Sequence, residues 1–179
     1  MRDFLKRGGL IFLAVIFAVT GLGVGIYSFF ADNNSSNNSG YINCETVTAG
    51  QQKPGENGKY EGAKLVDFKP VKSVDYLKCW DIKVGGGATA TASSTITATY
   101  TGALANSGKI FQSSLDNGQP FTTQLTNVIR GWQASIPGMK EGGIRRVLIP
   151  SEYAYGPAGS SGIPPNSDLV FDVTLIDVQ

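Results

Sequence analysis

Alternating apolar and polar residues recur from about residue 77 to the C-terminus, between turns rich in glycine and proline. Such alternation is typical of strands with one buried face. The clearest case is 95–101, where Ile96, Ala98 and Tyr100 share one face and threonines occupy the other. The pattern predicts strands, with 109–111 as a further short apolar stretch, at 77–84, 95–101, 121–125, 144–149 and 169–178.

One stretch between these strands follows a helical period instead. Apolar residues recur there at near-helical spacing, at Val128, Ile129, Trp132 and Ile136. This spacing predicts a short helix with one apolar face, on which Trp132 is a core residue. The strands and the helix together predict an α+β fold, an antiparallel sheet whose apolar face the helix covers. A long loop rich in Gly, Pro and Ser, at 151–165, precedes the last strand.

The stretch at 8–31 contains no charged residue and is dominated by Leu, Ile, Val, Phe and Ala. About twenty such residues form a helix long enough to span the hydrocarbon core of a bilayer. Three basic residues precede the stretch against one acidic residue, so we expect 1–7 to stay cytoplasmic while the rest of the chain crosses. The expected protein is a single-pass membrane protein with its domain on the extracytoplasmic side.

A cleaved signal peptide is the alternative interpretation of this stretch. The apolar region of a signal peptide is usually shorter, about 7–15 residues, and ends in a small-x-small cleavage site. Cleavage after Ala31 would place the bulky Phe29 at the minus-three position. We therefore expect an uncleaved anchor rather than a secreted form.

The chain between the anchor and the first strand divides into two parts. Residues 32–64 are polar and rich in Asn, Ser and Gly, which predicts a flexible linker. Residues 65–76 carry regular apolar positions, and Pro70 argues against a continuous helix there. We expect them to form an extended arm that packs on the domain at 77–179.

Composition argues against several classes of function. The formal net charge is +1 and charged residues make up 16% of the chain, so nothing indicates a basic surface for nucleic acid. The sequence contains no histidine, which removes Ser-His and Cys-His nucleophiles and the common zinc-binding patterns. No acid–base pair, phosphate-binding loop or metal-ligand motif stands out, and no cofactor is expected.

The two cysteines, Cys44 and Cys79, are too few and too far apart in sequence for a metal site. They are either two free thiols or, in an oxidising compartment, one disulfide. A disulfide would tie the segment before the domain to its first strand. The chain-entropy model makes closing such a loop worth about 3–4 kcal/mol.

Aromatic residues stand at strand ends and in loops, where they serve either as ordinary core or as the lining of an apolar pocket. The motifs that contain them are Tyr100-Thr101-Gly102, Ile110-Phe111-Gln112-Ser113-Ser114, Pro120-Phe121, Val128-Ile129-Arg130-Gly131-Trp132, Pro137-Gly138-Met139, Tyr153-Ala154-Tyr155-Gly156, Ile163-Pro164-Pro165-Asn166 and Leu169-Val170-Phe171-Asp172-Val173. In this order, over roughly 77–178, they resemble the motifs of the FKBP family of peptidyl-prolyl cis–trans isomerases. The resemblance does not extend to the anchor, the linker or the arm.

The resemblance implies a twisted antiparallel sheet wrapped around the short helix, with an apolar pocket between them. It places the Trp132 indole at the pocket floor and gives the backbone N–H of Ile129 and the hydroxyl of Tyr155 the role of donors to substrate carbonyls. The catalytic set that it implies is Tyr100, Phe111, Gln112, Ile129, Trp132, Tyr155 and Phe171, with Phe121, Val128 and Ile163 binding substrate. Arg130 is expected to pack or pair structurally.

Two positions depart from the family pattern. Gln112 stands where the family usually carries an acidic residue, so hydrogen bonding is kept while the charge is lost. We expect this change to weaken activity or macrolide binding without abolishing it. Thr123 stands where many relatives place another aromatic residue, which would open one side of the pocket.

The function that the resemblance implies is isomerisation of X-Pro bonds in exported polypeptides, which assists protein folding. The expected partners are proline-containing segments of client proteins, macrolide inhibitors such as rapamycin and, through 8–31, the membrane. The alternative is a non-catalytic chaperone or adaptor module that uses the same pocket to hold peptides.

Overall fold

The computed structural model describes Ile42 and residues 44–179 of the chain. The predicted cytoplasmic N-terminus at 1–7, the predicted anchor at 8–31 and the first part of the predicted linker lie outside the described residues. Within the described residues, no helix is both long and apolar enough to cross a membrane.

Residues 44–179 form seven strands in one sheet and one α-helix. The strands are β1 Glu45–Thr46, β2 Lys78–Lys83, β3 Thr95–Leu104, β4 Ile110–Ser113, β5 Phe121–Gln124, β6 Ile144–Ile149 and β7 Leu169–Val178, and the helix α1 is Arg130–Ser135. The sheet has the order β1-β2-β6-β7-β3-β4, and β5 pairs with β3. The pairs are antiparallel except β1 with β2, which run parallel.

The observed strands follow the alternating pattern closely, and β6 and β7 have the predicted bounds. Strand β3 differs, since it continues past the expected turn at Gly102 and ends at Leu104. A Cβ at Gly102 would lie 2.6 Å from the ring of Phe171 and 2.7 Å from that of Phe111. Glycine is therefore required there by the two aromatic rings that pack on the strand, and it does not end the strand.

Helix α1 packs directly on β6 because Gly131 has no side chain. A Cβ at that position would lie 2.5 Å from the Cγ2 of Ile149. The helix ends just before Pro137, which has no N–H to continue the hydrogen-bond ladder. Trp132 and Ile136 join the main core beneath the sheet, with Ile96, Ala98, Leu125, Val147, Ile149, Leu169, Phe171, Val173 and Leu175.

The two central strands are buried on both faces. Val147 and Ile149 of β6 face the helix, whereas Leu148 between them joins a second apolar cluster with Val170 of β7. That second cluster is closed by Leu65 and Val74, which are buried and come from the chain before β2. The arm predicted at 65–76 thus lies on the face of the sheet opposite the helix.

We call residues 44–76 the N-terminal segment and residues 78–178, which hold β2–β7 and α1, the body. The structure differs from the prediction of a flexible linker up to residue 64. Strand β1 pairs with β2, the N–H of Gly62 donates to the carbonyl of Ile110 at 2.8 Å, and the N–H of Ile110 donates to Ala63 at 2.9 Å. A polar stretch can be held by backbone pairing, which leaves no trace in apolar periodicity.

Arg146 of β6 attaches the arm through main-chain carbonyls. Its guanidinium forms an ion pair with Asp172 at 2.6 Å and donates to the carbonyls of Val66 and Asp67 at 2.8 and 3.0 Å. The adjacent Arg145 faces the other way, where it pairs with Asp81 at 2.7 Å and donates to the Ser135 carbonyl at the end of α1. Each arginine thus links one covering element to the sheet.

The cysteines form a disulfide between Cys44 and Cys79, the second of the two alternatives that the sequence left open. Their Cα atoms lie 4.8 Å apart, and Cys79 is buried in the main core. The bond joins the start of the N-terminal segment to β2. The backbone pairing of β1 with β2 connects the same two parts of the chain.

Candidate active site

An apolar pocket of about 380 Å³ opens between α1 and the concave side of the sheet. It is lined by Tyr100, Phe121, Asn127, Val128, Ile129, Trp132, Tyr155 and Phe171. All of these residues belong to the body. They come from strands β3, β5 and β7, from the turn before α1, from α1 itself and from the 151–165 loop, so the pocket depends on the whole fold.

Four of the pocket's aromatic rings meet edge to face. The ring of Trp132 lies 5.6 Å from the rings of both Tyr100 and Phe171, with interplanar angles of 85° and 90°. Tyr100 in turn lies 5.8 Å from Phe121. Perpendicular rings at such distances attract through their quadrupoles, and each fixes the orientation of the next. The lining is therefore preformed.

Exposure separates a floor from a rim in this pocket. Trp132 and Phe171 are each 4% exposed, whereas Phe121 and Tyr155 are 39% and 38% exposed. The buried pair forms the bottom, and the two exposed rings stand at the mouth. A small apolar ring that enters this pocket loses contact with water and gains contact with aromatic faces.

The hydrogen-bond donors at the pocket that have no partner within the part of the chain that the structure describes include one main-chain and one side-chain group near its mouth. The first donor is the backbone N–H of Ile129, the residue just before α1. The carbonyl of Ile129 already accepts from the N–H groups of Trp132 and Gln133. Its N–H donates to no described atom, and the hydroxyl of Tyr155 also lacks a described acceptor. Both groups are available to a carbonyl of a bound ligand.

The polar atoms of Tyr100 and Trp132 sit deeper. Burial raises the pKa of the Tyr100 phenol above its ordinary value, and the neighbouring Tyr155 phenol raises it further. The indole Nε1 of Trp132 is buried and has no hydrogen-bond partner among Ile42 and residues 44–179. Burial at the floor thus makes a charged group unfavourable there, so the pocket favours an uncharged ligand group.

Three of the residues that the sequence assigned to the site do not line the pocket. Phe111 stands behind it, with its ring 5.8 Å from Phe171 in a perpendicular contact. Ile163 is buried in the core at the end of the 151–165 loop. Gln112 is exposed on β4, and its side chain makes no hydrogen bond to any described residue. Phe111 and Ile163 therefore lie in the packing around the pocket, and their predicted roles in the site stay predictions.

Asn127 lines the pocket although no sequence pattern singled it out. It is an exposed polar residue at the end of a short 3₁₀ turn, Leu125–Asn127, and its position becomes evident only once that turn is placed. Arg130 at the start of α1 lies over the ring of Tyr153, 4.8 Å from its centroid, and does not line the pocket. Thr123 also stays outside the lining.

The arrangement is suited to binding and orienting an uncharged ring with a carbonyl beside it. Residues 86–176 match the model of the FKBP-type peptidyl-prolyl cis-trans isomerase family. The chain belongs to this family.

Among FKBP-type relatives, two curated proteins show the degree of similarity. The isomerase FkpA of Escherichia coli K12 is 44% identical over 123 residues, which are 68% of this chain and 45% of that protein. FK506-binding protein 4 of Emericella nidulans is 41% identical over 132 residues, or 72% of this chain and 27% of that protein. The chain thus matches between about a quarter and a half of the length of these relatives.

The fold agrees with a solved FKBP-type structure. The crystal structure of FkpA from Escherichia coli superposes with a TM-score of 0.55 at 41% identity, covering 63% of this chain and 53% of that one. The family match begins at residue 86, so the N-terminal segment lies entirely before it. The pocket residues Tyr100 to Phe171 all fall inside it.

Proposed function

We propose that this protein is a peptidyl-prolyl cis–trans isomerase that binds the proline ring of an X-Pro segment in the aromatic pocket. The observation that carries the proposal is that the Ile129 N–H and the Tyr155 hydroxyl, which have no partner among the described residues, lie at the edge of a buried aromatic floor. Membership of the FKBP-type family supports the same reaction.

The reaction needs no acid–base chemistry. Rotation about the X-Pro bond is opposed by the partial double-bond character of the amide, with a barrier of about 18–20 kcal/mol. At the twisted geometry the amide loses resonance, and its carbonyl becomes less dipolar and less dependent on water. The floor formed by Trp132 and Phe171 therefore binds the twisted amide better than the planar one, which lowers the barrier.

The two donors orient the substrate while the bond turns. A hydrogen bond from the main chain at Ile129 is rigid because the start of α1 fixes it, whereas the Tyr155 hydroxyl lies at the open mouth of the pocket. One of these two donors then binds a carbonyl on one side of the rotating bond. The other donor binds a carbonyl further along the peptide. Such positioning restricts the peptide to conformations from which rotation is easiest.

The reaction is tested by measuring X-Pro exchange in proline tetrapeptides, by NMR or by a protease-coupled assay, with and without rapamycin. We expect catalysis above the uncatalysed rate and its loss on rapamycin binding, since the protein named FK506-binding protein 4 is a relative. Binding of peptide without any rate increase would favour the alternative, a non-catalytic chaperone or adaptor module on the same scaffold.

The site assignment is tested by removing one donor. Tyr155→Phe should lower kcat/KM about five- to tenfold, since a single neutral hydrogen bond contributes about 1 kcal/mol. Tyr76→Phe is a matched control, because Tyr76 is exposed and remote from the pocket lining. Unchanged turnover in the folded Tyr155→Phe variant would overturn the assignment of this hydroxyl to catalysis.

The role of Gln112 is a separate proposal. The family resemblance puts it beside the substrate, so a charged replacement that restores the family pattern, Gln112→Asp, should raise activity about two- to threefold through one exposed electrostatic contact. Gln112→Ala should change activity by no more than about two- to threefold from that of the natural protein. A loss of more than tenfold in Gln112→Ala would instead make it a direct catalytic group.

We also propose that residues 8–31 anchor the protein in a membrane with 1–7 cytoplasmic and the isomerase domain on the other side. The uncharged stretch and the basic residues before it support this topology. Membrane fractionation followed by protease protection tests it, and accessibility of the domain from the cytoplasmic side would contradict it. The clients would then be exported polypeptides.

A further inference from the structure

A second cavity, a groove of about 580 Å³, lies beside the pocket and is built from two parts of the chain. The body supplies Lys109 and Phe111 at the start of β4 and Gly162 and Pro164 of the 151–165 loop. The opposite wall, which includes Lys59 and Glu61, comes from the N-terminal segment. This wall lies before residues 86–176, which match the family model, whereas the matches to individual relatives cover 68–72% of the chain and extend over the wall.

The groove and the pocket share one aromatic partition. Phe111 lines the groove, and its ring packs perpendicular to Phe171, which forms part of the pocket floor. Gly162 extends the same boundary, since a Cβ there would lie 4.0 Å from the Cβ of Phe111. A peptide that leaves the pocket past this partition therefore enters the groove within a few residues.

The groove wall is held in place by specific contacts. The carboxylate of Asp116 accepts from the N–H of Tyr60 at 2.6 Å and from that of Glu61 at 2.9 Å. Next along the chain, Gly62 donates to the carbonyl of Ile110 at 2.8 Å. The groove is thus a fixed feature of the fold, with polar backbone along one side.

The charges in the groove have no partners within it. Lys59, Lys109 and Glu61 are exposed, and none of the three forms an ion pair with any residue in the described part of the chain. Two cations against one anion leave a net positive charge among the residues that line the groove, while the Asp116 carboxylate behind the wall is engaged by the N–H groups of Tyr60 and Glu61. A carboxylate in a peptide that lies in the groove can approach both lysines without displacing an existing pair.

We propose that this groove is a second subsite for the client peptide, selecting segments with an acidic side chain near the X-Pro bond. The proposal rests on the isomerase function proposed above and adds a substrate preference to it. Because the wall belongs to the N-terminal segment, the preference depends on residues that lie before the part of the chain that matches the family model.

The test uses peptides that share one neutral X-Pro core and carry Asp, Asn or Lys two or three residues away, either before or after the proline. In one of the two series, kcat/KM for the Asp peptide should exceed that for the Lys peptide about three- to tenfold at low ionic strength. The Asn peptide should fall between them. The ratio should decline as salt is added, because exposed charges are screened.

Variants localise the preference. In Lys59→Gln/Lys109→Gln the ratio of Asp to Lys peptide should approach one, whereas turnover of the Asn peptide stays unchanged. Lys83→Gln/Lys140→Gln removes the same charge from exposed positions that line neither cavity, and it should leave the ratio as in the natural protein. Glu61→Gln should increase the ratio.

Equal preference for Asp and Lys in both series, or the same loss of preference in the control pair, would overturn the subsite. The affinities of the same peptides, measured by chemical-shift titration, give the ratio independently of turnover. An absence of catalysis would therefore count against the proposed isomerase function alone, and the titration would still decide whether the groove selects acidic peptides.

Discussion

The N-terminal segment and the body are held by different kinds of interaction. The body is organised around one apolar cluster in which residues such as Ile96, Leu125 and Ile149 are fully buried. The N-terminal segment contributes only two buried apolar side chains to the packing, Leu65 and Val74. Ala63, Phe68 and Val71 pack on the same cluster while partly exposed. The segment relies otherwise on a disulfide, backbone pairing, and side chains of the body that bind its main-chain groups.

This difference decides where function is placed. The pocket takes all of its lining from the body, where packing preforms it, and the groove takes one wall from the N-terminal segment. Apolar packing is cooperative, so its loss affects the whole fold. Polar attachment consists of separate contacts, so one of them can be removed while the core stays intact. The following changes test that contrast, from the largest expected effect to the smallest.

Trp132→Ala should have the largest effect, because it removes a large buried ring from the core and from the pocket. We expect the free energy of unfolding to fall by about 3–5 kcal/mol and isomerase activity to be lost. Denaturant unfolding and the tetrapeptide assay measure the two effects. Trp80→Ala is the matched control: this half-buried ring packs on the cluster beneath the N-terminal segment, and we expect a loss of about 1–2 kcal/mol with activity kept.

A loss below 1 kcal/mol in Trp132→Ala would contradict the view that the body is cooperative around this ring. Equal losses in the two tryptophan variants would do the same, because the segment side would then be packed as tightly as the core.

Removing the disulfide comes next. The bond closes a loop with a sequence separation of 35, and the chain-entropy model predicts that Cys44→Ser/Cys79→Ser lowers the free energy of unfolding by about 3–4 kcal/mol. Turnover of a neutral peptide should persist in the folded variant, because no pocket residue comes from the N-terminal segment. Reductant should destabilise the natural protein by a similar amount and leave the double variant unchanged.

Asp116→Asn is a smaller and more local change. It removes the charge from the acceptor of the Tyr60 and Glu61 N–H groups, and about 1 kcal/mol of stability should be lost. Amide hydrogen exchange should accelerate at these two residues while protection in β6 and β7 stays the same. Asp75→Asn, at an exposed residue outside both cavities, is the control. Faster exchange throughout the body would show that the attachment is not separable from the core.

The pH dependence of stability at alkaline pH should show the smallest effect. The pKa of Tyr100 is raised in the folded protein above its ordinary value of 10.0, by burial and then by Tyr155. The unfolded chain therefore loses this proton first, so the contribution is present below pH 10 and stability falls as the pH rises above it. Unfolding measured from pH 9 to 11 should show a shallower slope in Tyr100→Phe than in Tyr76→Phe.

The body was largely predictable because its elements repeat with a clear period. Strands β6 and β7 have the predicted bounds, since each is a largely apolar run that no turn residue interrupts. Strand β3 was predicted too short because glycine usually marks a turn, whereas Gly102 is present to admit two rings. That requirement involves residues far apart in sequence, and no local pattern contains it.

The N-terminal segment was poorly predictable for a related reason. Residues 44–64 have the composition of a linker, and the atoms that hold them belong to partners such as Asp116 and Ile110, more than 40 positions later. Family resemblance identified most of the pocket, including the floor residue Trp132. It did not find Asn127, and it placed Gln112 at the site although that side chain is exposed outside the pocket lining.

The disulfide also has a mechanical consequence. A pull on the chain before Cys44 passes through the sulfur bridge directly into β2 at Cys79, since this is the shorter covalent route. The backbone between the two cysteines includes the groove wall at Lys59 and Glu61. It is the longer covalent route between Cys44 and Cys79, so it bears almost none of the tension. A force applied to the chain before Cys44 therefore leaves the shape of the groove unaffected until the bridge is reduced.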